Sequence, residues 1–346
     1  MSIFKGKKLT IEIVGESHSP SMQITVKNFP KFDYDESKLI DFLNRRKASS
    51  FKFSTKRAED DIPTIEYKDG VLTATIKNKD VKSKDYNELR GKPRPSHADY
   101  AWYLKDGVYD FTGGGRFSGR LTSVLCVAGG LAIEYLQKLG IYIGGYVSQI
   151  GSVFGDSYKN KNFSYDKLVE LRNGDMPSLS NKEDMLLEIQ KAVDEGDSIG
   201  GRIDVVVYGL KGGLGDNLFE GLEGKIASLV YSVPAVKGVE FGAGFDLAGM
   251  KGSQANDQLQ YNDGKVEFLS NNAGGINGGI SNGNDITLSV AVRPTPSIVK
   301  EQNTVDLISG QNTKIVIKGR HDSCIVLRAI PCIESAVALA ILDEIL

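Results

Sequence analysis

The sequence is poor in cysteine and histidine, and it carries almost no net charge. Its 346 residues include three cysteines and three histidines, and the formal net charge is −2. The cysteines (Cys126, Cys324 and Cys332) are odd in number and lack the spacing of a metal site, so no metal centre is predicted. A balanced charge gives no global field that would favour nucleic acid or a membrane surface as a partner.

Long apolar segments are scarce as well. The N-terminus contains no apolar signal core, and we expect no run of residues long enough to span a bilayer. Because the cysteine usage also indicates a reducing compartment, we expect a cytoplasmic protein. A chain of this length can bury a substantial core, and no linker composition divides it, so we expect a single domain over residues 1–346.

The sequence is instead rich in glycine, and its arginines are locally clustered. Between Lys92 and Arg120, two prolines hold the backbone extended around Arg94. His97 follows, and a triple glycine then precedes Arg116 at the expected start of a helix. The first turn of a helix has unpaired N–H groups and a partial positive charge, so this segment predicts a site for a phosphorylated ligand. A tight turn with solvated arginines is the alternative that the motif alone leaves open.

A second histidine lies in a loop near the N-terminus. Residues 8–14 and 22–27 alternate like strands, and the turn between them carries His18. A helix is expected over 36–46, and a basic run covers residues 45–57. This run favours either a flap over an anionic ligand or a solvated surface at the C-terminus of a helix.

The second half of the chain repeats the plan of the first. In two units, residues 113–139 and 319–344, a loop that carries arginine precedes a buried, alanine-rich helix. The first helix is expected over about 120–139, and the second is expected to start at Pro331. The glycine–asparagine run 271–283 favours either a shaped ligand wall or a flexible loop. Because strands and helices alternate irregularly, we expect an α+β fold with two pseudo-symmetric halves rather than a doubly wound sheet.

Five motifs, in this order, resemble the chorismate synthase family. They are Gly15–His18, Arg94–Tyr100, Gly113–Arg116, Ala273–Ser281 and Gly319–Asp322. Each motif is weak alone, but five in order across nearly the whole chain are specific. The resemblance implies a β-α-β sandwich of two related halves that assembles as a homotetramer.

The resemblance also implies an activity. The family converts 5-enolpyruvylshikimate 3-phosphate to chorismate and phosphate by a 1,4-anti elimination, the last common step of the shikimate pathway to aromatic amino acids. The reaction needs reduced FMN but gives no net redox change. The chain is therefore expected to depend on an external flavin reductant, with NADPH as a candidate source of electrons, and no nucleic acid or membrane partner is expected.

Residue roles follow from the positions that match the family motifs. His18 is the expected acid for the leaving phosphate, and His97 is the expected histidine on the flavin side. Asp322 is the expected carboxylate near flavin N5. The expected substrate-binding residues are Arg46, Lys52, Arg94, Arg120 and Arg320. The expected FMN-binding residues are Arg116, Phe117, Ser118, Ala235, Gly278, Arg293, Pro294, Thr295, Pro296, Ser297 and Arg320. NADP is linked to Arg46 and Lys52, and the motif assigns no chemistry to His321.

The chain departs from the family pattern beside several of these positions. Ser19 and Ser96 replace usual glycines, and Lys52 replaces a usual arginine. Phe117, Leu121 and Pro234 replace a usual serine, glutamate and asparagine, respectively. Lysine keeps the charge of arginine but loses its bidentate fork. The acid, base and arginine types survive, so we expect an active enzyme. The alternatives are a flavin-binding relative without the elimination, and an anion- or RNA-binding protein that uses residues 45–57.

Overall fold

The structure is a computed structural model of the chain. It describes residues 1–47, 51, 53, 59–79, 89–109, 111, 114–158, 163–172, 174–317 and 321–346. The predicted site residues Lys52 and Arg320 lie outside these ranges.

The strands are β1 (Ser2–Lys5), β2 (Thr10–Val14), β3 (Ser21–Lys27), β4 (Thr64–Lys68), β5 (Val71–Lys77), β6 (Tyr142–Ile150), β7 (Val153–Phe154), β8 (Gly201–Tyr208), β9 (Val236–Phe241), β10 (Leu259–Asn262), β11 (Lys265–Phe268), β12 (Ile276–Asn277), β13 (Ile280–Ser281), β14 (Ile286–Val292), β15 (Gln302–Asp306) and β16 (Gln311–Ile315). The helices are α1 (Glu36–Asn44), α2 (Asp99–Asp106), α3 (Thr122–Lys138), α4 (Tyr165–Leu171), α5 (Lys182–Asp194), α6 (Leu222–Tyr231), α7 (Gly252–Ala255) and α8 (Val326–Ile345). Two 3₁₀ turns, Gly115–Phe117 and Gly119–Leu121, lead into α3.

The first half of the chain forms an antiparallel sheet with the strand order β1-β2-β3-β5-β4. Alternate residues of β3 face inward, and Met22, Ile24 and Val26 are fully buried. Ile24 stands opposite the buried Ala74 of β5, so the two strands share one apolar face. This period-two pattern gives a sheet with one face available to pack on α3.

The second half forms another antiparallel sheet, with the strand order β7-β6-β8-β14-β9. One face packs on α8. The other face carries Tyr146 and Val206 into a smaller apolar cluster that includes residues of α4. Because both faces are covered, β8 and β14 are buried almost continuously instead of alternating.

Helices α3 and α8 pack against each other between the two sheets. Their approach at Gly129 is close, since a Cβ placed there would lie 2.1 Å from Ser335 Cβ. Glycine is therefore required at that point of the helix pair. The layers run sheet, helix pair, sheet, and they confirm the predicted α+β fold of the β-α-β sandwich type.

The two halves repeat one topology. In the first, β2, β3, α1, β4, β5 and α3 follow one another and give the strand order β2-β3-β5-β4. In the second, β6, β8, α6, β9, β14 and α8 follow in the same sense, with insertions, and give the order β6-β8-β14-β9. In each half the last strand inserts beside the second one, and the chain then runs on to a core helix. The predicted pseudo-symmetric halves are therefore confirmed.

Two sequence predictions need correction. Helix α8 begins at Val326, and Pro331 lies inside it instead of at its start. Proline cannot donate to the Leu327 carbonyl, but α8 is buried along nearly its whole length, so packing outweighs one lost hydrogen bond. Residues 119–138 are long and apolar enough to cross a membrane by length and composition, yet 78% of their most apolar window is buried in the fold. This segment contains the core helix α3.

Candidate active site

The ends of the two core helices meet at one cavity of about 1030 Å³. Its wall comes from the turns before α3, the first turns of α8, residues 231–237 after α6, residues 94–98 and the loop 293–297. In the described part of the chain, nine lysine and arginine side chains and three carboxylates line it. A cavity of this size holds small-molecule ligands, and the excess of cations favours anionic ones.

Most of the predicted site residues line this cavity. Those that do are His18, Arg46, Arg94, His97, Arg116, Phe117, Ser118, Arg120, Ala235, Arg293, Thr295, Pro296, Ser297 and Asp322. His321, to which the motif assigns no chemistry, lines the wall as well. The fold therefore brings residues from both halves of the chain to one place.

A buried carboxylate organises the wall at the start of α2. Asp99 is 1% exposed and accepts hydrogen bonds from the backbone N (3.0 Å), Nε (2.7 Å) and Nη2 (2.8 Å) of Arg94. It also contacts Nδ1 of His97. Burial alone would raise the pKa of Asp99, but the Arg94 guanidinium and His97 hold that pKa at about 2. The carboxylate is therefore ionised and only accepts hydrogen bonds.

Backbone geometry at Ser96 makes this arrangement possible. Ser96 has a φ of 60°, in the left-handed region, and the chain turns there between Arg94 and His97. The His97 N–H donates to the Arg94 carbonyl at 3.1 Å. The Ser96 carbonyl accepts a hydrogen bond of 2.6 Å from Arg293 Nη1. Glycine adopts such a φ without strain, whereas serine does so at a cost.

Asp61 joins two of the predicted substrate-binding arginines. Its Oδ2 lies 3.2 Å from Arg46 Nη1, and its Oδ1 accepts a hydrogen bond from Arg120 Nη1. Arg46 also donates to Thr122 Oγ1 at 2.8 Å and to the Gly119 carbonyl at 2.9 Å, and it is 5% exposed. The protein itself therefore occupies most of the N–H groups of Arg46.

Arg120 has more donor capacity left than Arg46. Its Nε donates to Asn78 Oδ1 at 3.1 Å. Its Nη2 is buried and has no hydrogen-bond partner within the described ranges, although a carboxylate oxygen of Glu59 lies 3.8 Å away. Burial lowers the pKa of the Arg120 guanidinium, and the neighbouring Asp61 opposes this. A buried donor without an acceptor is costly, so Nη2 is a point where an anionic ligand would bind favourably.

The start of α8 contributes a second ion pair. Arg328 Nη1 lies 2.6 Å from Asp322 Oδ2, and Arg328 Nε donates to the Arg46 carbonyl at 3.0 Å. The Asp322 carbonyl accepts a 2.6 Å hydrogen bond from Thr295 Oγ1. Both charged side chains line the cavity. Arg328 therefore connects the predicted catalytic carboxylate to the segment that carries Arg46.

The loop that carries His18 is tied to the cavity wall from both sides. The Ser17 N–H donates to the Gly115 carbonyl at 3.2 Å, in the turn before α3. Asn78 Nδ2 donates to the Ser19 carbonyl at 2.7 Å. His18 is therefore held in the wall by a loop anchored on each side of it.

An aromatic and cationic surface lies at the turn before α3. The Arg116 guanidinium carbon lies 5.3 Å from the Phe117 ring centroid and 5.7 Å from that of Trp102. The two rings contact edge to face at 5.4 Å, and Arg116 Nη2 donates to Asp106 at 2.9 Å. Phe117 is 38% exposed. This surface suits a planar aromatic ligand.

The fold carries Gly278 away from the cavity. Gly278 lies in the turn between β12 and β13, where the Leu222 N–H donates to the Gly279 carbonyl at the N-terminal end of α6. The cavity is lined instead by residues 231–237 at the other end of that helix, roughly 15 Å away at about 1.5 Å per residue. The prediction that Gly278 contacts a ligand there is therefore not supported within one chain. Pro294 does not line the cavity either, although its neighbours do.

Sequence reasoning gave no role to Asp61, Asp99 or Arg328. Asp99 stands in the motif around His97, so its carboxylate two residues after the histidine was a usable signal. Asp61 and Arg328 had no such signal, because they meet their partners only through the fold. Asp61 bonds Arg120 across 59 positions of the chain, and Arg328 bonds the Arg46 carbonyl across 282.

Comparisons with known proteins agree with this geometry. A family model described as chorismate synthase matches residues 9–346. The chain is 39% identical over 355 residues to the chorismate synthase of Korarchaeum cryptofilum (99% of this chain, 96% of the relative). It is 40% identical over 353 residues to that of Thermococcus kodakarensis (99% and 97%). A crystal structure of a chorismate synthase matches with a TM-score of 0.76 at 24% identity, over 98% of this chain and 92% of that chain, which supports the fold. The family match and these identities show that the chain belongs to the chorismate synthase family.

Proposed function

We propose that the chain is a lyase that eliminates phosphate from 5-enolpyruvylshikimate 3-phosphate to give chorismate, in a reaction that requires reduced FMN. The observation that carries the proposal is the cavity of about 1030 Å³, around which His18, His97 and Asp322 lie among arginines. This volume leaves room for a substrate and a cofactor side by side. Membership of the chorismate synthase family supports the same activity.

Arg120 is the best placed of the described arginines to bind the substrate phosphate. A phosphate oxygen at Nη2 would supply the acceptor that this buried nitrogen lacks among the described residues. Hydrogen bonds between a guanidinium and a phosphate are charge-assisted and strong. Arg46 would contribute mainly by holding Asp61 and the turn before α3 in place, because most of its donors are already occupied.

His18 is the proposed proton donor, and His97 is proposed to hold the reduced flavin through Nε2. Breaking the C–O bond leaves a multiply charged phosphate, and a proton given to its oxygen by His18 would stabilise that charge as the bond breaks. His97 would act on the cofactor side, with its ring held by Asp99. Both histidines line the cavity, which is the geometric requirement for these roles.

Several features of the cavity wall support FMN as the proposed cofactor. Arg293 donates to the carbonyls of Ser96 and Pro294 and pairs with no carboxylate in the described part of the chain, so its charge is available to a phosphate. Arg116 and Phe117 offer a flat surface to a planar ring. Further residues that would hold the cofactor are Ser118, Ala235, Thr295, Pro296 and Ser297. When bound, reduced FMN would supply a basic nitrogen for removal of the ring hydrogen of the substrate. Asp322, held by Arg328, would accept a hydrogen bond from the cofactor ring.

The source of electrons is proposed to be an external flavin reductant. Direct binding of NADPH at Arg46 finds little support, because the Arg46 side chain is 7% exposed and hydrogen-bonded within the protein. Lys52, the other residue linked to NADP, lies outside the described residues. NADPH is therefore proposed only as the electron donor to a separate reductase, in the cytoplasm.

Assembly as a homotetramer is also part of the proposal. Phe219, Phe245 and Tyr261 are 96%, 82% and 81% exposed. A second copy of this chain is the proposed partner that would cover such exposed apolar side chains. Light scattering coupled to gel filtration tests this, and a monomeric mass would exclude the tetramer.

The experiment that tests the activity is an anaerobic incubation with 5-enolpyruvylshikimate 3-phosphate and chemically reduced FMN, followed by assay of phosphate. Binding of FMN is measured separately through quenching of Trp102, the only tryptophan, which contacts Phe117. Quenching with phosphate release supports the proposal. Quenching without release indicates a flavin-binding relative without the elimination. RNA binding that falls steeply with salt, and no FMN binding, would indicate the anion-binding alternative at residues 45–57.

A further inference from the structure

Asp99 lies behind the cavity wall and reaches the site only through other side chains. It is 1% exposed and is not among the residues that line the cavity. Its Oδ2 accepts from the N and Nε of Arg94, and its Oδ1 accepts from Arg94 Nη2 and contacts His97 Nδ1. Arg94 and His97 both line the cavity. One buried carboxylate thus holds a predicted substrate-binding arginine and a predicted catalytic histidine.

The contact with Asp99 decides which ring nitrogen of His97 carries a hydrogen. Because the pKa of Asp99 is about 2, its carboxylate is ionised at neutral pH and can only accept. His97 Nδ1 must therefore donate to it. Arg94 Nη2 lies 3.1 Å from the same nitrogen, but it could donate only to an Nδ1 without hydrogen, and that tautomer would leave two lone pairs facing each other at the closer contact with Asp99. Nε2 is left as the nitrogen that meets a ligand.

The backbone between these residues keeps the three groups together. The left-handed turn at Ser96 brings the Arg94 backbone N–H within 3.0 Å of the Asp99 carboxylate. Asp99 is also the first residue of α2, where the positive end of the helix dipole favours an anion. The unit from Arg94 to Asp99 is therefore fixed by local contacts and does not need a ligand to form.

We propose that Asp99 is a positioning residue for the reaction, which holds His97 with Nδ1–H toward its carboxylate and Nε2 toward the cavity, and which orients Arg94 in the same wall. This inference rests on the proposed function and deepens it, since the motif assigns Asp99 no role. Loss of a carboxylate that fixes the tautomer of a catalytic histidine lowers turnover in other enzymes by as much as about 10⁴-fold. We therefore expect Asp99→Asn to lower kcat by at least about tenfold.

Nuclear magnetic resonance of the imidazole nitrogens tests the orientation without reference to activity. The chain has only three histidines, so a long-range ¹H–¹⁵N spectrum of histidine-labelled protein contains three rings, and His97→Gln assigns one of them. The expected wild-type result is His97 with its hydrogen on Nδ1. In Asp99→Asn we expect the hydrogen to move partly or wholly to Nε2, because the amide no longer requires a donor. Asp99→Glu, which keeps a carboxylate, should restore part of both the tautomer and kcat.

Asp106→Asn is the matched control, since Asp106 lies on the same helix and pairs with Arg116 instead of His97. It should leave the His97 tautomer unchanged. A wild-type His97 with its hydrogen on Nε2, or an unchanged tautomer in Asp99→Asn, would overturn the proposal. A changed tautomer with full turnover would overturn the positioning role. The wild-type spectrum decides the orientation even where Asp99→Asn does not fold. If the wild type gives the expected spectrum but forms no chorismate, the proposed function is contradicted and the orientation of His97 is not.

Discussion

Arg328 and Asp322 form an ion pair in the cavity wall, with Arg328 Nη1 2.6 Å from Asp322 Oδ2. The two side chains are 19% and 13% exposed, so the pair is largely shielded from water and from salt. Asp322 precedes α8 and Arg328 lies in its first turn, so the pair fixes the entry to this helix. The carboxylate proposed to act beside the cofactor is thus held by a residue that no motif identified.

Replacement of Arg328 should lower turnover more than it weakens substrate binding. Arg328→Gln removes the charge that holds Asp322, whereas Arg328→Lys keeps a charge but loses the fork that also reaches the Arg46 carbonyl. We expect kcat to fall in the order wild type, lysine, glutamine, while KM changes little. Steady-state kinetics with reduced FMN measures both. A normal kcat in Arg328→Gln would show that the pair is not needed for the reaction.

Arg46 and Arg120 should differ in what their loss affects. Arg46→Ala removes a buried ion pair and hydrogen bonds to the turn before α3, so we expect the free energy of unfolding to fall by about 3 kcal/mol. Arg120→Lys keeps a charge beside Asp61 but removes Nη2. The substrate affinity should then fall about tenfold to a hundredfold, the effect of losing a hydrogen bond to a charged group. Urea unfolding and anaerobic titration with oxidised FMN separate the two effects. Equal losses of the free energy of unfolding in Arg46→Ala and Arg120→Lys would contradict the separate roles of the two arginines.

Lys52→Arg should keep or tighten substrate binding. An arginine is usual at this position in the family, and a guanidinium can form two parallel hydrogen bonds to phosphate where an ammonium acts as a point charge. The same anaerobic titration measures the affinity. A clearly weaker affinity for the substrate would mean that Lys52 does not face the phosphate.

Asp99 should stabilise the fold above pH 4 and lose that effect in acid. Its pKa falls from 3.8 to about 2 on folding, so its contribution is fully present above the unfolded value and disappears as the pH drops through about 2. The change corresponds to about 2 kcal/mol. The difference in the free energy of unfolding between wild type and Asp99→Asn should therefore shrink by about this amount from pH 5 to pH 2. A difference that stays constant over this range would contradict the pKa assigned to Asp99.

Alternation and helical spacing were sufficient to predict most elements of the fold. The strand over 22–27 and the core helix over 120–139 are where the pattern placed them, because each buries a face of regular period. Pro331 misled the prediction at α8, since the burial of the whole helix outweighs a local preference. Local propensity cannot report that burial, because it depends on the second sheet and on α3.

The motifs predicted which residues meet in the cavity better than how they act there. His18, His97 and Asp322 do line one cavity, although the chain separates them widely. The sequence could not predict which side chains form hydrogen bonds and ion pairs with these residues. Asp61 and Arg120 are 59 positions apart in the chain and meet only in the fold, and the occupied donors of Arg46 likewise become visible only there.

His18, the histidine proposed to protonate the leaving phosphate, gives a direct control for the activity. His18→Ala should lower turnover by about 10²–10⁴-fold, the usual contribution of general acid catalysis, and His97→Ala should lower it by a similar factor. Circular dichroism and FMN titration should show a folded, cofactor-binding protein in both variants. Wild-type turnover in both would remove these histidines from the mechanism.

The proposed elimination needs reduced FMN but consumes none. The most direct test is a single anaerobic reaction in which chorismate, phosphate and the flavin spectrum are followed together, with 5-enolpyruvylshikimate 3-phosphate in large excess over reduced FMN. We expect chorismate and phosphate in equal amounts, many turnovers for each flavin, and a flavin that is still reduced at the end. Flavin oxidised in proportion to product, or no phosphate above the level of His18→Ala, would contradict the proposed elimination.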